Sequence, residues 1–277
     1  MHYAIGRLKE MGIQDICIVV GENEEQIRTA IGDGSALGIK ASYVRQTDPH
    51  GLAHAVGFAK DFVGEDSFCL YLGDAMYSQT LAPFAELFRT SGCANLNLVK
   101  WVEDPSRFGV ANLEGSQIVK LVEKPQEPES NYAMAGLYFF GPQIWSVLPE
   151  LNPSARGEYE ITDAIQMLID RGETVLAGIY EGDWFDTGTL DSFLETSSHL
   201  IGKGQKVAES AHVVAGLGHS VVIGEGSHVS CDLIEDSVVL PGAHVRVSGR
   251  VRRCILAGRV ESEHSLEDQI RWNDSAQ

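Results

Sequence analysis

Cationic residues are scarce in this sequence. Its 277 residues include 21 lysines and arginines against 39 aspartates and glutamates, which gives a formal net charge of −18. Nucleic acids and anionic membranes reward a basic surface, so this balance argues against either as the main partner. A small anionic substrate remains compatible with it, because a few local basic residues can dominate a pocket.

Other absences narrow the setting of the protein. The five cysteines are scattered and none forms a CxxC pair, so neither a zinc site nor a disulfide framework is indicated. The first residues contain no apolar signal-peptide core. No apolar run reaches the roughly 18 residues that suggest a membrane helix. We therefore expect a cytoplasmic protein without a membrane span.

The first two hundred residues alternate between two patterns. Residues 15–21 and 67–72 are continuous apolar runs bounded by glycine, which is typical of strands buried on both faces. Helical periodicity lies between them, at residues 24–31 and 52–62. This alternation predicts a doubly wound, mostly parallel α/β sheet in a domain at residues 1–200.

The character of the sequence changes after a glycine-containing linker at residues 201–205. Aliphatic residues then recur about every six positions, with glycine or proline between them, as in residues 222–229 and 239–245. This period predicts a hexapeptide-repeat β-helix at residues 206–262. A generic small β-sheet is the alternative. We expect the polar residues 263–277 to form a frayed tail.

Candidate functional residues follow the predicted strands, because ligands of such sheets bind at the carboxyl ends of the strands. Asp74 comes directly after one strand, behind Gly73, and Asp186 lies in a second such position. Two carboxylates together with phosphate oxygens and water suit an octahedral Mg²⁺. Helix capping is the alternative role for each aspartate.

Glu123 and Lys124 stand at the end of another predicted strand, which Pro125 terminates. A lysine suits a point contact with a phosphate, and a glutamate suits sugar hydroxyls. The alternative is a solvated charge pair at a turn.

A further candidate segment is the loop from Gln46 to Ala53. Gly51 permits close approach of the backbone to a ligand, and the amides at the start of the next helix can meet a base or a phosphate. Gln46 can pair with a base edge. His50 and His54 are expected to pack or to lie on the surface instead.

Together these pieces occur in the order of one family. From about residue 3 to residue 200, the sequence resembles the sugar nucleotidyltransferases, and within them the glucose-1-phosphate thymidylyltransferases. The resemblance implies a Rossmann-like nucleotidyltransferase domain followed by a short left-handed β-helix. The matching segments are residues 32–35, 51–55, 72–74, 108–110, 122–125, 135–138, 156–163 and 186–189.

The resemblance also implies a role for each matching position. Lys124, Asp74 and Asp186 would be the catalytic residues, and the two aspartates would hold Mg²⁺. The substrate-binding residues would be Gln46, Gly51 and Leu52 for the nucleotide, Glu123 and Lys124 for the sugar phosphate, and Gly109, Ala135 and Gly136 around the hexose. Trp184 would be a further substrate-binding residue.

The reaction implied by the resemblance is attack of a glucose-1-phosphate oxygen on the α-phosphorus of dTTP, which gives dTDP-glucose and pyrophosphate. Such a step depends on alignment and charge neutralisation more than on acid–base groups. UTP is the alternative nucleotide. A catalytically inactive subunit that binds sugar nucleotides is the second reading, and an acyltransferase acting through the β-helix is a less favoured third. We expect the β-helix to mediate homo-oligomer contacts or effector binding.

One family segment has no counterpart here. The resemblance implies an initial strand and a glycine-rich loop containing Gly-Thr-Arg, which binds the triphosphate. Met1-His2-Tyr3 instead aligns with the helix that follows this loop. We expect the natural chain to be longer, with Met1 an internal methionine. Without that strand, two strand edges should lie unpaired beside a slot in the core.

Overall fold

The computed structural model describes residues 1–273. The chain divides into two compact units, Met1–Trp184 and a second unit that begins at Phe185. The helices are α1 (His2–Glu10), α2 (Glu24–Ile31), α3 (Leu52–Phe58), α4 (Lys60–Val63), α5 (Ala82–Ser91), α6 (Ile144–Val147), α7 (Ile161–Asp170) and α8 (Leu190–Leu200). The strands of the first unit are β1 (Asp15–Val20), β2 (Lys40–Arg45), β3 (Phe68–Tyr71), β4 (Ala75–Tyr77), β5 (Asn95–Trp101), β6 (Gly109–Glu114), β7 (Gln117–Glu123), β8 (Tyr132–Phe140) and β9 (Val175–Ile179).

The remaining strands follow, beginning with β10, which straddles the boundary between the two units. They are β10 (Trp184–Asp186), β11 (Gln205–Val207), β12 (His212–Leu217), β13 (Val221–Ile223), β14 (His228–Glu235), β15 (Ser237–Val239), β16 (His244–Val247), β17 (Arg250–Ala257), β18 (Arg259–Ser262) and β19 (Leu266–Trp272). The boundary thus falls before α8, whereas the sequence predicts it near residue 200. The observed boundary precedes α8 because this helix packs on β15, β17 and β19.

The first unit contains two separate sheets. β1 and β2 form a parallel pair, and six other strands form a sheet in the order β3-β8-β5-β9-β7-β6. Within the larger sheet β5 pairs with β9 in parallel, and the other pairs are antiparallel. The predicted α/β class is confirmed. The parallel arrangement is limited to β1–β2 and β5–β9, because β6, β7 and β8 follow one another in the chain and fold back on their neighbours.

Side chains that alternate along the central strands fill two apolar cores. Leu96 and Leu98 of β5 belong to one core, and Val99 of the same strand belongs to the other. Leu137 and Tyr138 of β8 divide in the same way. Successive side chains of a strand point to opposite faces, so one buried sheet supports a core on each side.

A cavity of about 1070 Å³ lies between β1 and β3. Its lining includes Cys17 and Val19 of β1, and Phe68 and Leu70 of β3. In the part of the chain that the structure describes, β1 pairs only with β2 and β3 only with β8, so each strand has an edge without a strand partner. The expected slot between two unpaired strand edges is confirmed.

The second unit contains a solenoid of parallel strands, as the six-residue period predicts. Its interior consists mainly of aliphatic side chains, among them Val221, Ile234, Val251 and Leu256, each fully buried. Stacked coils of this kind are the arrangement of a β-helix, which confirms that prediction.

The prediction of a frayed tail after residue 262 is wrong for its first part. Residues Leu266–Trp272 form β19 and pair in parallel with β17, starting with Leu266 opposite Val251. Leu266 is 2% exposed, so it extends the solenoid core by one more coil. The remainder of the predicted tail, residues 274–277, lies outside the described residues.

Non-glycine residues with left-handed backbone angles recur at the corners of successive coils. Ser220, Asp236, Arg253 and Asp268 have φ angles of 53°, 45°, 50° and 53°. A left-handed conformation costs a residue with a Cβ atom about 1–2 kcal/mol. The corner geometry is therefore imposed by the stacking of the coils and not by local preference.

Among residues 1–273, no helix has both the length and the apolar composition required to cross a membrane.

Candidate active site

Glu123 lies at the carboxyl end of β7, surrounded by hydrogen-bonding and charged partners. Its Oε2 accepts a hydrogen bond from the Thr162 hydroxyl at 3.2 Å. Its Oε1 lies 3.5 Å from the Arg156 guanidinium and 3.9 Å from Lys124 Nζ. The structure therefore joins Glu123 and Lys124, which the sequence identified, to Arg156 and Thr162, to which it had assigned no role.

The Glu123 carboxyl is 21% exposed, and its surroundings change its acidity. Burial raises the pKa of Glu123 above its usual value, and the nearby Glu160 carboxylate raises it further. The hydrogen bond from Thr162 and the charges of Lys124 and Arg156 oppose this rise in the pKa. A carboxylate held in this balance is a good acceptor for hydroxyl groups of a ligand.

The backbone around Glu123 is tightly constrained. Lys124 has a φ angle of 42°, and its amide donates to the Phe108 carbonyl at 3.0 Å. A Cβ atom at the buried Gly109 would lie 2.6 Å from Thr162 Cγ2 and 3.2 Å from Glu123 Oε2. Gly109 thus has to lack a side chain for Glu123 and Thr162 to meet.

A second cluster surrounds the start of α3. Gln46 Nε2 lies 3.0 Å from His54 Nδ1 and 3.5 Å from the Gly51 carbonyl oxygen. The ring of His54 stacks at 6.1 Å on that of Tyr159. His54 therefore contacts the candidate residue Gln46, and it packs as the sequence suggested.

Gly51 has a structural reason to be glycine. Its φ angle is +102°, and a Cβ atom there would lie 2.6 Å from the carbonyl oxygen of Tyr159. The same carbonyl accepts the amide of Ala53 at 3.0 Å, while the Tyr159 amide donates to the His50 carbonyl at 2.8 Å. The Gly51 loop is thus fastened to the segment that precedes α7.

That segment connects the two clusters. Tyr159 packs on the Gly51 loop, while Arg156 forms ion pairs with Glu158 at 2.7 Å and Glu160 at 3.8 Å in addition to Glu123. Ser154 donates its hydroxyl to Glu160 at 2.8 Å. The conspicuous sequence Arg-Gly-Glu-Tyr-Glu-Ile-Thr-Asp at residues 156–163 was the available signal for these contacts.

Asp74 is exposed and lies just beyond the carboxyl end of β3, where the sequence predicts it. The amino group of Met1 is close enough to interact with it. Burial lowers the pKa of that amino group, and attraction by Asp74 partly offsets the effect.

Asp186 belongs to the second unit, where it lies in β10 and not after a strand. Its Oδ1 accepts the Gly188 amide at 3.1 Å. Thr189 and Ser192 form a reciprocal capping box for α8, so Asp186 is not the residue that caps this helix.

Carboxylate oxygens such as those of Asp74 and Asp186 are the donors that Mg²⁺ prefers. Across the described range, no three histidine, cysteine, aspartate or glutamate side chains converge to hold a metal ion. A site for Mg²⁺ would therefore have to draw on substrate oxygens and water besides the protein.

The other candidates differ in accessibility. Leu52 is half-buried and lines the cavity between β1 and β3. Gly136 has a φ angle of +81°, and its carbonyl accepts the Leu72 amide at 3.0 Å. Ala135 has no exposed surface, because it packs in the first core, so its place in a hexose pocket stays a prediction.

Trp184 carries an unsatisfied polar atom. Its ring lies 5.0 Å from that of Phe108, and its buried Nε1 has no hydrogen-bond partner. Since the Phe108 carbonyl binds the Lys124 amide, Trp184 packs one residue away from the Glu123 cluster.

Comparison with known proteins identifies close relatives. A family model described as nucleotidyl transferase matches residues 1–202. The chain is 39% identical over 203 residues to the low-salt glycan biosynthesis nucleotidyltransferase of Haloferax volcanii, which covers 73% of this chain and 57% of that protein. It is 42% identical over 199 residues to the glucose-1-phosphate thymidylyltransferase of Streptomyces griseus, covering 71% and 56% respectively. The chain thus spans little more than half the length of these two relatives.

A third relative is matched over more of both chains. The glucose-1-phosphate thymidylyltransferase of Streptomyces antibioticus is 36% identical over 253 residues, which are 90% of this chain and 70% of that protein.

Solved structures agree with these matches. A protein described as a glucose-1-phosphate thymidylyltransferase of Bacillus anthracis, in complex with sucrose, superposes with a TM-score of 0.65 at 36% identity, over 70% of this chain and 79% of that one. A UDP-glucose pyrophosphorylase in complex with UDP-glucose superposes with a TM-score of 0.66 at 26% identity, over 73% and 86%.

Proposed function

Because the chain belongs to the nucleotidyl transferase family, we propose that it transfers a thymidylyl group from dTTP to glucose-1-phosphate and releases pyrophosphate. The observation that carries the proposal is the meeting of Glu123, Lys124, Arg156 and Thr162 at the end of β7. The thymidylyltransferase relatives support the choice of substrates.

In this proposal the Glu123 cluster binds the sugar phosphate. The carboxylate accepts sugar hydroxyls, while Thr162 and Arg156 hold it in place. Lys124 contacts the phosphate as a compact positive charge, in a position fixed by its left-handed backbone. Alignment of the attacking phosphate oxygen with the α-phosphorus of dTTP then accounts for much of the acceleration.

The nucleotide binds at the start of α3 in the same proposal. Gln46 pairs with the pyrimidine edge, and Gly51 and Leu52 bring the backbone close to the base. The contacts of Gly51 with Tyr159 support a rigid loop at this point. The segment that contains Tyr159 also contains Arg156, so in this proposal one segment of the chain positions both the nucleotide site and the sugar site.

Asp74 and Asp186 are the residues that would hold Mg²⁺. The ion would neutralise charge on the phosphate oxygens. A cytoplasmic location belongs to the same proposal and accords with five free cysteines. Assembly into a homo-oligomer through the solenoid is part of it too.

The test is release of pyrophosphate by the purified chain supplied with dTTP, glucose-1-phosphate and Mg²⁺, with UTP in a parallel reaction. We expect turnover with dTTP and its loss in Lys124→Met. Lys120→Met is the matched control, because Lys120 lies on β7, four residues before Lys124, and pairs with the exposed Glu129 at 2.7 Å. Equal loss in both variants, or faster turnover with UTP, would contradict the proposal.

A second candidate is a subunit that binds sugar nucleotides without catalysis. The cavity between β1 and β3 favours it, because this cavity opens beside Gln46, Leu52 and Gly73 and leaves the sheet interrupted next to the candidate site. Binding of dTDP-glucose without pyrophosphate release, in a folded protein, is the outcome that this candidate predicts.

A further inference from the structure

A column of histidines lies on the outside of the solenoid. His212, His228 and His244 are exposed and occupy the same register position in β12, β14 and β16. The ring centroids of His212 and His228 are 4.8 Å apart with an interplanar angle of 33°, and those of His228 and His244 are 4.7 Å apart at 6°. Neither the transferase reaction nor the solenoid core uses these side chains.

Imidazole nitrogens are ligands for Zn²⁺, Cu²⁺ and Ni²⁺. At metal–nitrogen distances near 2.0–2.1 Å, two nitrogens on one tetrahedral ion lie about 3.3 Å apart. Neighbouring rungs of a parallel ladder hold their Cα atoms about 4.8 Å apart. Exposed imidazoles therefore need only a modest side-chain rotation to converge on one ion.

The inclination of the rings favours one pair in the column. The rings of His212 and His228 are already inclined to each other, whereas those of His228 and His244 are nearly parallel. Arg259 is the next rung beyond His244, and Arg246 lies two residues along the same strand. Glu261 lies opposite Arg246 and pairs with Arg259 at 2.7 Å, so that end of the column carries both signs of charge.

The in-register residues two positions beyond His212 and His228 are the uncharged Val214 and Ser230, and Ser230 lies opposite Arg246. We propose that His212 and His228 form a two-histidine site for a borderline transition-metal ion, whose remaining positions are filled by water. The site needs no third protein donor, in accord with the lack of converging three-residue groups in the described part of the chain.

The test is titration of the tag-free 277-residue chain with Ni²⁺ by calorimetry. All samples carry His2→Ala, because a free amino terminus beside His2 would chelate the ion independently. We expect His212→Ala and His228→Ala each to weaken Ni²⁺ binding by at least about tenfold. His244→Ala and the exposed control His264→Ala should retain the parent affinity.

Circular dichroism of each variant shows whether it remains folded, which is expected because all these side chains are exposed. Unchanged affinity in His228→Ala overturns the proposal, as does a parent protein that binds no Ni²⁺. A larger loss in His244→Ala than in His212→Ala would overturn the assignment of the pair.

Discussion

The unpaired edges of β1 and β3 predict that an added strand will stabilise the first unit. The perturbation is a segment fused before Met1, made of six β-branched apolar residues and a short Gly/Ser loop. Six residues match the length of β1. The loop starts from a suitable point, because Met1 Sδ lies 2.9 Å from the Cβ position of Gly73, just past the carboxyl end of β3. The fused strand would therefore enter the cavity parallel to both edges.

The gain in unfolding free energy can be estimated from the six residues that would fill the cavity. Burial of six apolar side chains contributes roughly 9–18 kcal/mol, and ordering their backbone costs about 6–12 kcal/mol. At the middle of both ranges, the difference is about 4 kcal/mol before hydrogen bonds to the two edges are counted. At about 2–4 °C per kcal/mol for a chain of this size, a gain of about 4 kcal/mol raises the thermal midpoint by about 8–16 °C.

Calorimetry measures the midpoint, and thiol labelling reports whether the cavity is filled. Cys17 and Cys69 line the cavity from opposite strands, so both should react more slowly with a thiol reagent. The matched control carries proline at alternate strand positions, which removes amide donors while leaving the segment apolar. Equal midpoints and equal thiol reactivity for the two fusions would refute this reasoning.

Three further predictions concern the candidate site. Gly51→Val should lower the thermal midpoint and weaken dTTP binding, because φ is +102° there and the Tyr159 carbonyl leaves no room for a Cβ atom; equal binding would contradict it. The folded state holds the proton of Glu123 more tightly than the unfolded chain, since burial raises the pKa of that carboxyl. Its contribution to stability is therefore present at acid pH and lost as the pH rises through the ordinary and then the raised pKa. Urea unfolding should show Glu123→Gln gaining on the parent over that range, and a difference independent of pH would disprove it. Trp184→Phe should leave the unfolding free energy within about 1 kcal/mol, because the buried Nε1 has no partner to lose; a larger drop in urea unfolding would show that the indole is structural.

Local pattern was enough to predict many of the elements. The apolar runs near residues 15–21 and 67–72 contain β1 and β3, and the six-residue period contains the solenoid strands. These signals are local, because burial on both faces of a strand, or a repeating coil, determines the pattern of consecutive residues. The predicted helix at 52–62 is divided at Ala59, which local periodicity did not indicate.

Strand order could not be predicted in the same way. β3 pairs with β8, so Phe68 lies opposite Phe140, and no local pattern encodes a partner that distant. β19 was missed for a related reason. Its buried Leu266 stands among charged residues, and only its register against Val251 shows that it continues the core.

The sequence identified charged residues of the candidate site but not the residues that hold them in position. Glu123 and Lys124 are recognisable at a strand end, whereas Arg156 and Thr162 reach them from more than thirty residues later in the chain. Which residue holds a carboxylate depends on tertiary packing. The two aspartates proposed for Mg²⁺ remain predictions.

The left-handed corners of the solenoid set backbone strain against side-chain contacts. Each of Ser220, Asp236, Arg253 and Asp268 adopts a conformation that glycine enters freely and asparagine tolerates. Their side chains also have partners, since Arg253 pairs with Asp268 at 2.6 Å and Asp236 lies 3.1 Å from His219 Nε2. The corners repeat, so the same substitution can be made coil by coil. The second unit is thus a scaffold in which the number of corners changed sets the balance between relieved strain and lost contacts.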